Sequence, residues 1–158
     1  AQVGMGFAFA HHFASYDAIA AMTNYRSHFK PSAWRQNPHG ILAVAAVAAE
    51  TDAEAETLAS SMDLNRLRRD RGQYLPLPSV EEALAYNYTD AERASVMRNR
   101  SRLFVGSPAA LLSKLQPMID ASQPDELMII TAVYDHDARK KSYSLLADAF
   151  GLAKKVAA

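Results

Sequence analysis

The chain has no cysteine. That absence removes disulfides, thiolate metal centres and a cysteine nucleophile together, and it suits a reducing compartment. Neither sign of charge is in excess, because 17 Lys and Arg balance 17 Asp and Glu over 158 residues. No global field therefore points to nucleic acid or to an anionic membrane as partner. The longest apolar run, Ile41 to Ala49, falls far short of the roughly 20 residues that cross a bilayer. Residues 1–10 lack the basic flank of a secretory signal, so a cytoplasmic protein is the expectation. The histidines, His11, His12, His28, His39 and His136, show no metal-ligand spacing, and no metal site is expected.

What is present is a repeated hand-over from strand to helix. Gly6-Phe7-Ala8-Phe9-Ala10 is a short apolar run that reads as a buried strand, with His11 and His12 at its C-terminal tip. Ser15 is placed to cap a helix running to Phe29, whose stripe is Ala18, Met22, Tyr25 and Phe29. Pro31 ends it, and Ser32 to Gly40 is a connecting loop. Ile41 to Ala49 does not alternate; its alanines would also suit a helix, but Gly40 before it and Glu50-Thr51-Asp52 after it favour a strand, which would be covered on both faces. Thr51-Asp52-Ala53-Glu54 then opens a helix as a capping box.

The pattern changes between Asp63 and Leu103. Arg66, Arg68, Arg69 and Arg71 cluster, and Gly72 to Pro78 is irregular because Pro76 and Pro78 break any ladder. Two further capping boxes, Ser79-Val80-Glu81-Glu82 and Thr89-Asp90-Ala91-Glu92, predict two short helices. An insertion of this length is usually a lid or a binding loop. Phe104-Val105-Gly106 restarts the strand-to-helix theme, with Ser107 as cap and Pro108 at the first helical position. Pro117 falls inside the helix that follows. Leu127 to Val133 reads as a strand, and it leads through Tyr134-Asp135-His136 into a last helix closed by Gly151.

Laid out in this order, the chain resembles the C-terminal half of the luciferase-like flavin monooxygenases, in the alkanal-monooxygenase branch. The resemblance rests on Phe7 to Phe13, Phe29 to Ser32, Val44 to Glu56, Phe104 to Pro108 and Asp125 to Gly151. It implies an α/β fold: about three βα units plus a helical insertion, the C-terminal part of a (β/α)8 TIM barrel. Residues 1–158 would be a single domain or a fragment, with 63–103 as its lid. Ala1-Gln2-Val3-Gly4, read as a helix tail without an initiating Met, also suggests a piece of a longer protein. The implied cofactor is FMN, reduced by a separate flavin reductase. The implied reaction uses O2 to oxidise a small organic substrate, in a protein that forms homo-oligomers when full length. A non-catalytic luciferase-like fragment is the alternative.

The resemblance and the strand tips together name the candidate residues. His11 and His12 are the expected catalytic residues: one is expected to face the flavin or substrate, with His12 favoured, while the other supports the barrel. Strand alternation would put the two on opposite faces. The plainer reading is a histidine bonded to a backbone carbonyl. Ala10, His12 and Tyr134 are the expected flavin contacts, and Phe13, Arg68, Arg69 and His136 the expected substrate or lid residues. Asp135 or Asp137 could equally serve as a helix cap, and the arginine cluster could be a solvated helix end.

Overall fold

The computed structural model describes residues 3–14 and 16–152. Ser15, Ala1 and Gln2 lie outside them, and with these the expected cap and half of the expected helix tail. The chain forms two compact units, residues 1–45 with 114–130 and residues 46–113 with 131–158.

The first unit is built on parallel strands. β1 (Phe7–Ala10) and β4 (Glu126–Ile130) each pair in parallel with β2 (Gly40–Ala48), Phe9 opposite Leu42 and Leu127 also opposite Leu42. β2 is buried along almost its whole length, as a strand without alternation requires. α1 (Ala18–Ser27) covers one face of the sheet with Ala18, Met22 and Tyr25. The Phe7 ring stacks on Tyr25 at 5.1 Å. Gly40 lets that helix approach: a Cβ there would lie 2.5 Å from the Met22 Cε.

α1 is shorter than its apolar stripe. It starts at Ala18 because the Asp17 carboxylate accepts the Ile19 and Ala20 N–H groups at 2.7 and 3.4 Å. It stops at Ser27: the His28 N–H still reaches the Asn24 carbonyl at 3.2 Å, but the Phe29 N–H turns back to the Arg26 carbonyl at 3.4 Å, which breaks the ladder. Phe29 keeps its contact with Tyr25 from outside the helix, at 5.9 Å edge to face. At the N-terminal ends of the strands, Asp125 accepts the Gly40 N–H at 2.6 Å and pairs with Arg26 at 2.8 Å. Those bonds, the backbone one foremost, hold the Asp125 carboxyl below its ordinary pKa. His39 meets Glu126 at 2.6 Å beside them.

The second unit carries the helices. α2 (Asp52–Asp70) runs through Asp63, so the composition change expected there falls inside a helix. α3 (Val80–Ala85) and α4 (Asp90–Arg100) follow, then β3 (Leu103–Gly106). The Ala49 N–H bonds the Gly106 carbonyl at 3.4 Å. α5 (Pro108–Ser122), whose residues from Lys114 onward count with the first unit, opens with Pro108 and continues past Pro117, and α6 (His136–Ala149) closes at Gly151, whose φ is +65°. Thr51, Ser79 and Thr89 all cap their helices, but among the described residues only Thr89 and Glu92 close a reciprocal box. At Ser79 the box stays half-made, since the Glu82 carboxylate is drawn to Arg68 at 2.6 Å.

β4 is also shorter than Leu127 to Val133. Beyond Ile130 the Thr131 N–H bonds the Tyr143 hydroxyl at 3.0 Å, and the Thr131 hydroxyl bonds the Ala46 carbonyl at 2.9 Å. Side chains satisfy that backbone where a strand ladder was expected.

Candidate functional site

In the first unit the site residues sit in a turn. β1 ends at Ala10, and the Ala10 carbonyl accepts the N–H groups of Phe13 and Ala14 at 3.0 and 3.1 Å. His11 and His12 therefore follow turn geometry, and strand alternation does not assign their faces. The fixed point is the Ala43 carbonyl on β2. It accepts the His11 N–H at 2.9 Å and faces the His12 Nδ1 at 3.3 Å. His12 is buried, and because a carbonyl only accepts, the Nδ1 facing it carries a proton; in a neutral ring Nε2 is then the acceptor. This is the bond that the plainer reading of the pair described. Phe13 is 78% exposed, with its ring 4.3 Å from that of His12.

In the second unit Tyr134 and Arg68 share a 390 Å³ cavity with Leu75, Pro76, Leu77, Ser79 and Glu82. The sequence reading missed this last group. Its only signal was the Leu-Pro-Leu-Pro run, which marks irregular backbone without saying what it covers. Arg69 lies over the Tyr74 ring at 5.9 Å. His136 turns to its own helix, with Nδ1 3.1 Å from the Arg139 guanidinium. Asp135 is the N-cap of α6, accepting the Ala138 N–H at 2.7 Å. A carboxylate held in that way is a helix cap.

The arginine cluster is a set of ties, where a solvated helix end was the plainer expectation. Arg66 donates to the Asn99 carbonyl at 3.0 Å, Arg68 pairs with Glu82 and Arg71 pairs with Glu92, both at 2.6 Å. Burial pulls the Arg66 guanidinium below its ordinary pKa. Glu92 is buried, yet it accepts from the Thr89 N–H and the Tyr86 hydroxyl as well as pairing with Arg71. Those bonds, the Thr89 N–H first, hold its carboxyl at about 2. Asp63 pairs with Arg100 through two bonds of 2.7 Å, and Glu56 reaches the same guanidinium at 2.9 Å. Burial still raises the Asp63 pKa.

No protein-family model matches the chain. A luciferase-like monooxygenase of Escherichia coli strain K12 is 33% identical over 148 residues, covering 94% of this chain and 44% of the relative. The chain is similar to luciferase-like monooxygenases. The uncharacterized protein YceB of Bacillus subtilis is 36% identical over 150 residues, covering 95% of this chain and 45% of that protein. The crystal structure of apo-MsnO8 matches with a TM-score of 0.86 at 32% identity, over 97% of this chain and 47% of that one. DmoA from Hyphomicrobium sulfonivorans, at 13% identity and a TM-score of 0.56, shares the fold. The α/β fold is thus part of a luciferase-like TIM barrel. The chain spans less than half the length of the relatives it matches. No helix among the described residues is long and apolar enough to cross a membrane.

Proposed function

We propose that this chain is the C-terminal half of a flavin-dependent monooxygenase of the luciferase-like class, in its alkanal-monooxygenase branch. That enzyme takes reduced FMN from a separate flavin reductase and oxidises a small organic substrate with O2. The observation that carries the reading is the match to a luciferase-like monooxygenase along 94% of the chain. The turn after β1 is chemically suited to it. His12 is anchored through Nδ1 at Ala43, which leaves Nε2 as an acceptor for a ring N–H. Phe13 offers an exposed aromatic face beside it.

These groups fit the ring of a flavin. The turn itself, Ala10 to Ala14, carries no Lys or Arg for its phosphate, so that end of the cofactor is assigned to the rest of the protein. When bound, the reduced flavin supplies the electrons that activate O2. The chain's own part is to orient the ring through Ala10 and His12 and to exclude water. Phe13 supplies apolar surface for this purpose. The segment 63–103 is assigned as the lid, with Arg68 and Arg69 on it, and a lid of this kind acts by closing over reactants.

The test is anaerobic titration of reduced FMN into this chain joined to the part of the Escherichia coli relative that it does not match. Binding that weakens on replacing His12 or His11 with Ala, with the fold retained, supports the proposal. Full affinity in both variants overturns the assignment of the histidines, and no binding by the folded joined protein overturns the flavin reading. The isolated chain is expected to bind FMN weakly.

A further inference from the structure

A second cavity in the second unit, of 670 Å³, opens between α2, α3, the turn after α3, and α4. It shares no lining residue with the cavity of Tyr134 and Arg68, and nothing in the proposed reaction uses it. Its volume lies within the range of small-molecule sites, about 300 to 1,000 Å³. Much of the wall is apolar: Ala83, Leu84, Val96 and Met97, beside the rings of Tyr86 and Tyr88. Ala83 is buried, but Leu84 is 64% and Met97 72% exposed. Large apolar side chains left in water around a hollow mark a place that something covers.

The polar groups of the wall divide in two. Ser60 donates to the Thr57 carbonyl, Asp63 takes two bonds from Arg100, and the Tyr86 hydroxyl donates to Glu92, each at 2.7 Å. These are satisfied within the chain, and the Asp63 charge is balanced by Arg100. The side chains of Arg93 and Asn87 and the Tyr88 hydroxyl form no hydrogen bond or ion pair among the described residues. The Arg93 guanidinium lies over the Tyr88 ring at 5.8 Å. Burial raises the Tyr88 pKa, so its hydroxyl keeps its proton. All three groups can donate, and Arg93 brings a charge that no carboxylate balances. One positive charge beside an apolar hollow selects one negative charge on an apolar body. A second charge on the ligand would leave water with no partner, and a neutral ligand would leave the guanidinium unused. We propose that this cavity binds an apolar monocarboxylate, with the carboxylate on Arg93 and Asn87 and the apolar body against Leu84, Val96 and Met97. The unbranched thioether of Met97 can adapt to the shape of that body. The proposal does not rest on the flavin reading.

The probe is 2-naphthoate, titrated by calorimetry, without flavin, into this chain joined to the part of the Escherichia coli relative that it does not match. Saturable one-to-one binding is expected, and added salt should weaken it. The neutral counterpart 2-naphthol should bind roughly tenfold more weakly. Arg93 is exposed, so Arg93→Met should leave the circular dichroism unchanged while weakening naphthoate roughly tenfold. Met97→Glu, also at an exposed position, gives Arg93 a carboxylate one turn along α4. It is the second variant should Arg93→Met fail to fold, and it should weaken naphthoate in the same way. Absence of saturable binding by the folded joined protein overturns the proposal, as it would if the rest of the chain covered the hollow. So does equal affinity for 2-naphthol, or full affinity in a folded variant. FMN binding by the same protein is measured separately, so each reading can fail without the other.

Discussion

The β-sheet and the segment 63–103 are held together by opposite means. In the sheet, Leu42, Val44, Ala46 and Val47 are each fully buried. The attraction there is non-directional and follows apolar area. In the segment, Leu64, Leu67 and Ala83 make a small apolar cluster, with Tyr86 and Tyr88 against it. Around that cluster the ties are charged: Arg100 to Asp63 and Glu56, Arg68 to Glu82, and Arg71 to Glu92. The difference teaches where each region is vulnerable. Burial of apolar area is indifferent to pH and hard to undo by one change of charge, while a charged tie depends on its partner, on protonation and on salt.

The comparison breaks most visibly in the sheet. Leu42→Ala removes a fully buried side chain from the strand to which β1, β3 and β4 all pair. It should cost about 4 kcal/mol by the cavity and transfer terms together. Urea unfolding of the 158-residue chain measures this; a cost below that of the surface change Leu84→Ala would mean β2 is not the core.

The next largest effect belongs to the charged ties. Arg100→Met strands the Asp63 carboxylate, whose pKa is already raised by burial, and should cost about 3 kcal/mol. Adding Asp63→Asn removes the stranded charge and should recover much of that loss. A double variant no more stable than Arg100→Met would show that packing, and not charge, joins α2 to α4.

His12→Ala leaves the Ala43 carbonyl with the His11 N–H alone. The expected cost is about 1–2 kcal/mol, smaller than either change above because one acceptor bond survives. Amide exchange at His11 and Phe13 should quicken, and unchanged exchange would argue that the ring does not pin the turn.

The smallest effect separates the two regions by pH. Glu92 is held at about 2 when folded against roughly 4.3 in an unfolded chain. Its contribution to stability is therefore fully present above the unfolded value and fades as pH falls from there towards 2. Asp63 works the other way: its raised pKa favours the protonated folded form, so its contribution declines as pH rises through the window between its unfolded and folded values. Glu92→Gln should flatten the acid limb of a stability-against-pH curve. In the same spirit trypsin should cut first at Arg71, where residues 71–76 are all exposed, and added salt should speed that cut. A first cut within β2 would overturn the comparison.

Elements whose cause lies in neighbouring residues were legible from the sequence: β2 from nine apolar residues without alternation, the capping roles of Thr51, Ser79 and Thr89, Gly151 after the last helix, and the irregular run between Gly72 and Pro78. Each depends on local sterics or on a hydrogen bond spanning three residues. What the sequence could not supply were partners distant along the chain. That the carbonyl at Ala43 holds His12 across 31 residues and that Arg71 finds Glu92 are decisions of the tertiary structure. The reason is physical. A carbonyl has no residue-type signature, and an arginine has the same composition whether it faces water or a buried carboxylate, so only the folded chain brings donor and acceptor together.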